Sequence, residues 1–257
     1  MFAINSERRV VMINKDKLKE YSEKYGVSLD DMALDRFDYL CQRLLRWNEH
    51  VNLTAITDPN EIVIKHFVDS LTLIPYANLP EGASVIDVGC GAGFPGLPII
   101  IKRPDLNITF LDSVGKKLTF IKDALSNCGL LGDIVHARAE ELSHQKQYRE
   151  RFDLAVSRAV APLNILAEYC LPFVKPGGYF IAMKGAQDEA ELGTNAIKTL
   201  GGNIEQVVLL KLPNDDTRNL IIIKKISQTS SKYPRKSKKN KHKAVVNKLK
   251  LPKKVEY

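Results

Sequence analysis

Apolar residues recur at helical spacing through the first third of the chain and at strand spacing after it. Leu34, Phe37, Leu40, Cys41, Leu44, Leu45 and Trp47 fall mostly three or four apart. That spacing predicts an amphipathic helix over 30–49, after a shorter one over 15–26. Ser28 is the expected cap of the second helix, with Asp30 and Asp31 suited to its positive end. "VNLTAITDPNE" breaks the pattern, and Asp58 and Pro59 restart it for a third helix to about residue 77. From Ser84 the rhythm changes to seven short runs, "SVIDVG", "NITFLD", "GDIVHAR", "FDLAVSRA", "GYFIAMKG", "IEQVVLLKL" and "RNLIIIKKI". Helical stretches, among them 114–128 and 163–174, separate the first six. Strands alternating with helices predict βαβ units, hence an α/β fold with a largely parallel sheet covered on both faces. Only "PNDDT" lies between the last two runs, so that pair is a hairpin and antiparallel. "KPGG" at 175–178 reads as a turn before the fifth strand. One domain is expected over 12–226, with a helical part at 12–79 and a core at 80–226.

Charge divides the chain differently. Its 257 residues are 44% hydrophobic and 26% charged, an ordinary globular balance. Between Ser227 and Tyr257, however, eleven Lys/Arg face one acid, a net of +10 that leaves the rest at −2. Such a segment cannot bury enough apolar surface to offset ordering, so 227–257 is expected to be a disordered, polyanion-binding arm. Cys41, Cys90, Cys128 and Cys170 form neither a CxxC pair nor a zinc-type cluster with histidine, which predicts a reducing cytoplasm and no metal. No apolar run reaches membrane-spanning length, so no membrane partner is expected. "MFAINSERRVVMINK" lacks the apolar core of a secretory signal, and Met1 and Met12 both serve as a start.

The candidate chemistry lies in "SVIDVGCGAGFPGLPII". Gly89, Gly91, Gly93 and Gly96 permit positive φ and close approach of a ligand to the backbone. Pro95 suits the first turn of the following helix, whose amides are expected to meet polar ligand atoms. In open parallel sheets such ligands bind beyond the carboxyl ends of the strands. Asp112 ends the second strand, 19 residues after Gly93, where an acid accepts hydrogen bonds from both ribose hydroxyls. NAD and S-adenosylmethionine share that need. Asp87 separates them: its charge beside the turn repels a pyrophosphate and suits a cationic sulfonium.

With those residues in view, the chain resembles the small-subunit ribosomal RNA methyltransferase G family, also called glucose-inhibited division protein B. The resemblance rests on "RWNEHVNLTAI", "HFVDSL", "IDVGCGAGFPGLPI", "FLDSVGKKLTFI", "ARAEEL", "FDLAVSRAVAPL" and "MKG", in family order across roughly 34–226. It implies a Rossmann-like class I S-adenosylmethionine-dependent methyltransferase, a monomer that methylates guanine N7 of 16S ribosomal RNA in the small ribosomal subunit. By position it implies Gly89, Phe94, Ala139, Glu140 and Arg158 as cofactor residues, to which the physical argument adds Asp87, Gly91 and Asp112. It also implies Asn52, Arg138, Arg158 and Lys184 as candidates for holding RNA near the methyl group. "YPRK" at 233–236 matches family members, but a lysine run follows it here, which favours an arm over a docked C terminus.

Guanine N7 carries a lone pair and no proton at neutral pH, so the transfer needs orientation rather than a base or a covalent nucleophile. The chain accordingly lacks an Asn/Asp-Pro-Pro-aromatic stretch and a cysteine pair motif after the fourth strand. Arg158 is expected to position phosphate, guanine O6 or the ligand carboxylate, against the plainer expectation of an ion pair with Asp87 or Asp153. His66 and Asp69, at i and i+3, share a helix face and are expected to hydrogen-bond, with a rim contact to RNA or cofactor as the alternative. Trp47 and Cys170 read as core, and Asn52 alternatively as a turn residue. Three rival readings remain open: a methyltransferase of another RNA or base, an NAD-dependent oxidoreductase, and a non-catalytic RNA-binding module dominated by the tail.

Overall fold

The computed structural model describes residues 12–158, 160–187 and 189–235. Helices α1 (Lys15–Glu23) and α2 (Asp31–Asn48) come first. Then α3 (Pro59–Ile62), a π-helical stretch Val63–Val68 and α4 (Asp69–Leu71) run on without a break, and α5 (Ile74–Ala77) follows a short turn. The core alternates as foreseen: β1 (Ser84–Val88), α6 (Gly96–Lys102), β2 (Asn107–Asp112), α7 (Gly115–Asn127), β3 (Asp133–His136), α8 (Ala139–Leu142) and β4 (Phe152–Arg158). It continues with α9 (Leu163–Cys170), a 3-10 turn Leu171–Phe173, β5 (Val174–Lys184), α10 (Ala190–Thr199), β6 (Gly202–Lys211) and β7 (Thr217–Lys225). No helix among the described residues is long and apolar enough to cross a membrane.

The sheet order is β3-β2-β1-β4-β5-β7-β6. All pairings are parallel except those of β7, which runs antiparallel to both β5 and β6. Period-two alternation splits the central strands between two cores. Val85 faces the layer made by α1, α2, α6 and α7, whereas Ile86 faces α9 and α10. Order reverses between β1 and β4, so the loops after these two strands diverge and leave a crevice at their carboxyl ends. The N-terminal helices close one side of it. Arg43 and the Trp47 indole N–H both donate to Asp123 of α7 (2.6 and 3.0 Å), and Phe37 packs on Phe67 at 4.9 Å between ring centres.

Several local expectations need correction. Asp30, not Ser28, caps α2 by accepting from the Ala33 amide at 2.8 Å, because it alone stands directly ahead of the first helical turn. Pro95 precedes α6 at the cap position rather than inside its first turn. The "KPGG" turn is absorbed into β5, whose pairing with β4 shifts register between Phe152 and Leu154 while Gly177 takes φ +89.

The largest correction concerns the tail. Residues 227–235 fold back onto the core. Arg149 donates to the carbonyls of Thr229, Ser230 and Tyr233 (2.7, 3.2 and 3.0 Å), and His144 donates to that of Pro234 at 2.9 Å. Lys225, fully buried, donates to the Leu171 carbonyl (2.8 Å) and the Thr229 hydroxyl, and pairs with Glu150 at 3.2 Å. Burial pushes the Lys225 ammonium down to about 8, with Glu150 opposing. These contacts satisfy the strap's backbone, which is what ordering it requires. The remainder of the expected arm, 236–257, lies outside the described residues, as does Met1.

Candidate functional site

The crevice holds a cavity of about 630 Å³, lined by the loops after β1, β2, β3 and β4 and by Leu53, Thr54 and His66 from the N-terminal helical part. That volume is within the range of small-molecule sites, ~300–1,000 Å³. The β1 turn forms its floor. Gly89 takes φ +70, and a Cβ there would come within 2.7 Å of Val160, so only glycine lets the β1 and β4 loops meet this closely.

Asp112 lies at the end of β2 with each oxygen tied to a backbone amide, Gly91 N–H at 2.8 Å and Val114 N–H at 2.8 Å. The carboxylate is thus fixed at the cavity wall while retaining further acceptor capacity. Ala139 and the buried Glu140 form the wall beyond β3, and Arg138 stands outside Glu140 at 3.7 Å with a 60% exposed side chain. Gly89, Gly91, Phe94, Asp112, Arg138, Ala139, Glu140 and Arg158 all line the one cavity.

Asp87 does not. It lies beneath the turn with 0% exposure, accepting the Gly96 amide at 2.8 Å, and its second oxygen is buried without a partner. A Cβ on Gly96 would come 2.8 Å from the same carboxylate. Burial pushes the Asp87 carboxyl up to about 7, against the Gly96 hydrogen bond and the charge of Arg158, which pull it down. Two expectations change together. Asp87 acts from behind the turn rather than as a contact, and the Gly96 amide is spent on that carboxylate instead of facing the cavity. A helix start sealed in this way has no anion site to offer a pyrophosphate.

Arg158, at the end of β4, is the hub of the cavity's inner wall. It donates to the Lys65 carbonyl (2.9 Å), to Asp69 (3.1 Å) and to His66 Nδ1 (3.2 Å), and lies 5.2 Å over the Phe94 ring. Its ion-pair partner is therefore Asp69, not Asp87 or Asp153; Asp153 instead accepts from Ser84 and pairs with Lys175 at 2.6 Å. Arg218 of β7 approaches Asp69 as well, at 3.3 Å. Two groups compete for His66 Nδ1 at 3.2 Å, the Arg158 guanidinium, which only donates, and the Lys65 carbonyl, which only accepts, while Nε2 meets the Thr54 hydroxyl at 2.8 Å. His66 stacks on Phe94 at 4.5 Å, and burial and the charge of Arg158 lower its pKa to about 3. The π-helical stretch carries His66, an irregularity common at functional sites. His66 and Asp69 thus share a face as expected but are joined through Arg158.

Lys184 and Asn52 are not in the cavity. Lys184 is 8% exposed; it pairs with Glu189 at 3.0 Å and donates to the Ala161 carbonyl at 2.7 Å. A strand-end lysine buried in this way braces the loop after β4 rather than meeting phosphate. Asn52 is exposed beside the cavity-lining Leu53 and Thr54. Cys90 lines the cavity, but burial pushes its thiol well above the ordinary range, which removes it as a nucleophile. Several lining residues had no forecast role, among them Glu168 and Tyr169 of α9, and Arg235 at the end of the strap. Arg235 lies within the "YPRK" signal, whereas nothing in the helical pattern of α9 marked Glu168. Among the described residues no cluster of His, Cys, Asp and Glu could hold a metal ion.

The family model for rRNA small subunit methyltransferase G matches residues 33–221. The chain belongs to that family. It is 46% identical over 227 residues to the ribosomal RNA small subunit methyltransferase G of Alkaliphilus oremlandii, covering 87% of this chain and 95% of the relative. It is 47% identical over 223 residues to the protein of the same name from Acetivibrio thermocellus, covering 86% and 92%. Among solved structures, TrmN from Thermus thermophilus superposes with a TM-score of 0.50 at 17% identity, covering 62% of this chain and 48% of that one, a likeness of fold alone. The family carries the class I methyltransferase fold, and the expected mostly parallel seven-stranded sheet with an antiparallel last pair is borne out.

Proposed function

We propose that the cavity binds S-adenosyl-L-methionine and that the protein methylates guanine N7 in small-subunit ribosomal RNA by direct transfer. The observation that carries the reading is the 46% identity, over most of both chains, to proteins named for small-subunit ribosomal RNA methylation. The cavity's own chemistry fits the cofactor: an acid at the end of β2 with spare acceptor capacity, a glycine floor, and a helix start closed to pyrophosphate. When bound, S-adenosylmethionine supplies an electrophilic methyl group on a sulfonium. Asp112 holds the ribose hydroxyls, Ala139 and Glu140 border the adenine, and Gly89, Gly91 and Phe94 form the floor. Asp87, in its ionised form, adds negative charge from behind the turn.

The side of the cavity bordered by Thr54, His66 and the loop after β4 admits the guanine. No proton leaves N7, so no base is required. His66, neutral at physiological pH, and Cys90, protonated, suit a site whose work is orientation. Arg158 positions Phe94, His66 and Asp69 and presents its charge to the cofactor carboxylate or the RNA. Arg138, exposed at the rim, meets phosphate. The RNA substrate implies a cytoplasmic enzyme working on ribosomal RNA or a small-subunit particle. Mapping N7-methylguanine on small-subunit RNA from cells with and without the gene tests this reading. Loss of one methylated guanine in the mutant is expected, and an unchanged pattern refutes the substrate. Equilibrium binding of S-adenosylhomocysteine against NAD tests the cofactor, and preference for NAD would revive the oxidoreductase.

A further inference from the structure

Part of the cavity wall is built by the strap that follows the last strand. Arg235 grips Glu168 through its backbone amide (2.6 Å), its Nε (2.9 Å) and its Nη2 (2.6 Å), the fork geometry that makes Arg–carboxylate pairs both strong and directional. Both residues line the cavity, together with Tyr169, on the wall that also carries Glu140. Glu168 is 5% exposed. Without Arg235 it would be a nearly buried carboxylate facing Glu140 across Tyr169, whose hydroxyl pKa rises with burial and with both of those charges. What keeps Arg235 in place lies outside the cavity: the Arg149 bonds to the strap carbonyls and the Lys225–Thr229–Glu150 cluster.

We propose that Arg235 and Glu168 are positioning residues for the S-adenosyl ligand, and that docking of the strap 227–235 and binding of that ligand are one coupled equilibrium. The inference rests on the cofactor reading above. A docked strap fixes the α9 wall against which Glu140 and the adenine end are set. A free strap leaves Glu168 unpaired there and that end of the cavity open to water. Linkage then runs both ways: ligand stabilises the strap by the factor that the strap strengthens the ligand, with couplings of this kind at about tenfold.

The discriminating residue is Arg149, which lies outside the cavity and, besides the strap, donates to the Ser143 carbonyl just after α8 at 3.2 Å. Arg149→Ala and Arg235→Ala are each expected to raise the dissociation constant of S-adenosylhomocysteine about tenfold. Arg235→Lys, which keeps charge and loses the fork, falls between. A chain ending after residue 235 binds as the full chain does. In steady state the KM for S-adenosylmethionine rises and kcat holds. In the unaltered full-length protein, amide exchange over 229–235 slows when S-adenosylhomocysteine is added, a readout that stands even if a variant folds poorly. Wild-type affinity in Arg149→Ala, or strap exchange indifferent to ligand, overturns the proposal while leaving the cofactor reading intact. A wild-type protein that binds no S-adenosylhomocysteine overturns both.

Discussion

Asp87 is the group whose replacement separates the two jobs a buried acid can do. Its carboxyl is held at about 7 in the fold against 3.8 in an open chain. Each tenfold in proton affinity is about 1.4 kcal/mol, so ionising Asp87 in the fold is disfavoured by about 4 kcal/mol. Between these two values the folded protein binds a proton that the unfolded chain does not, so stability falls as pH rises from about 4 to about 7. Asp87→Asn keeps an acceptor for the Gly96 amide but places an NH₂ where the partnerless oxygen sits. Unsatisfied donors there cost about 1–3 kcal/mol. The ligand-free variant should therefore be more stable than wild type at pH 8 by about 1–3 kcal/mol, less stable at pH 4, and flatter in its pH profile. If the charge is retained for a cation, the variant must also lose affinity for S-adenosylmethionine, which carries a sulfonium, by more than it loses for S-adenosylhomocysteine, which does not. Urea unfolding from pH 4 to 8 and titration calorimetry with both ligands measure these quantities. An unchanged pH slope would show that Asp87 does not titrate near neutrality. Equal losses for the two ligands would show that its charge does not read the sulfonium.

His66 behaves in the opposite sense: its folded pKa of about 3 lies below the free value of 6.5, so stability is lost as pH falls through that window. Imidazole nitrogen NMR should find a neutral ring throughout pH 5–8, and a titration inside that range contradicts the burial of His66 beside Arg158. Lys184→Ala should slow turnover by releasing the Ala161 loop and leaving Glu189 with only the Leu163 amide, yet leave the salt dependence of RNA binding unchanged; a shallower salt slope would restore Lys184 as a phosphate contact. Ending the chain after residue 235 removes nine Lys/Arg and one acid, and should weaken binding of small-subunit RNA and reduce the salt slope by ~0.7–0.9 for each phosphate that the arm had neutralised. An identical slope means that 236–257 is only a solvated tail.

Much of the molecule was legible because its signals are local or periodic. The strand rhythm, the short "PNDDT" connection and the acid closing β2 each follow from chain spacing. What was misread depends on direction and company. Both faces of β1 are buried, so alternation could not tell that Asp87 points under the turn toward Gly96 instead of into the cavity. Lys184 and Lys225 look like solvated strand ends until Glu189 and Glu150 are brought to them by the fold. The strap was hidden in an average: of the eleven Lys/Arg after residue 226, only Lys232 and Arg235 precede 236, and hydroxyl residues fill most of the rest of 227–235. Composition taken over the whole tail described the part beyond it.

The charges of the site make one arrangement. Arg158 is nearly buried, with Asp69 to balance it, Asp87 near enough to feel it, and His66 kept uncharged beside it. Most groups lining the cavity that could take up a proton are engaged. Asp112 is fixed by two amides, Glu168 by Arg235, His66 by Arg158 and Thr54, while Glu140 lies 3.7 Å from the exposed Arg138. A substrate that had to surrender a proton during methylation would have to draw on one of these. Guanine N7 does not need one, and a nucleophile that arrives with its lone pair ready asks only to be held in line. The same fixed network suits that demand, since Phe94 and His66, stacked and pinned by Arg158, give the cavity a rigid wall. An amine or a hydroxyl as the true acceptor would require one of these pairs to break in the complex, which a pH–rate profile would register as a new ionisation.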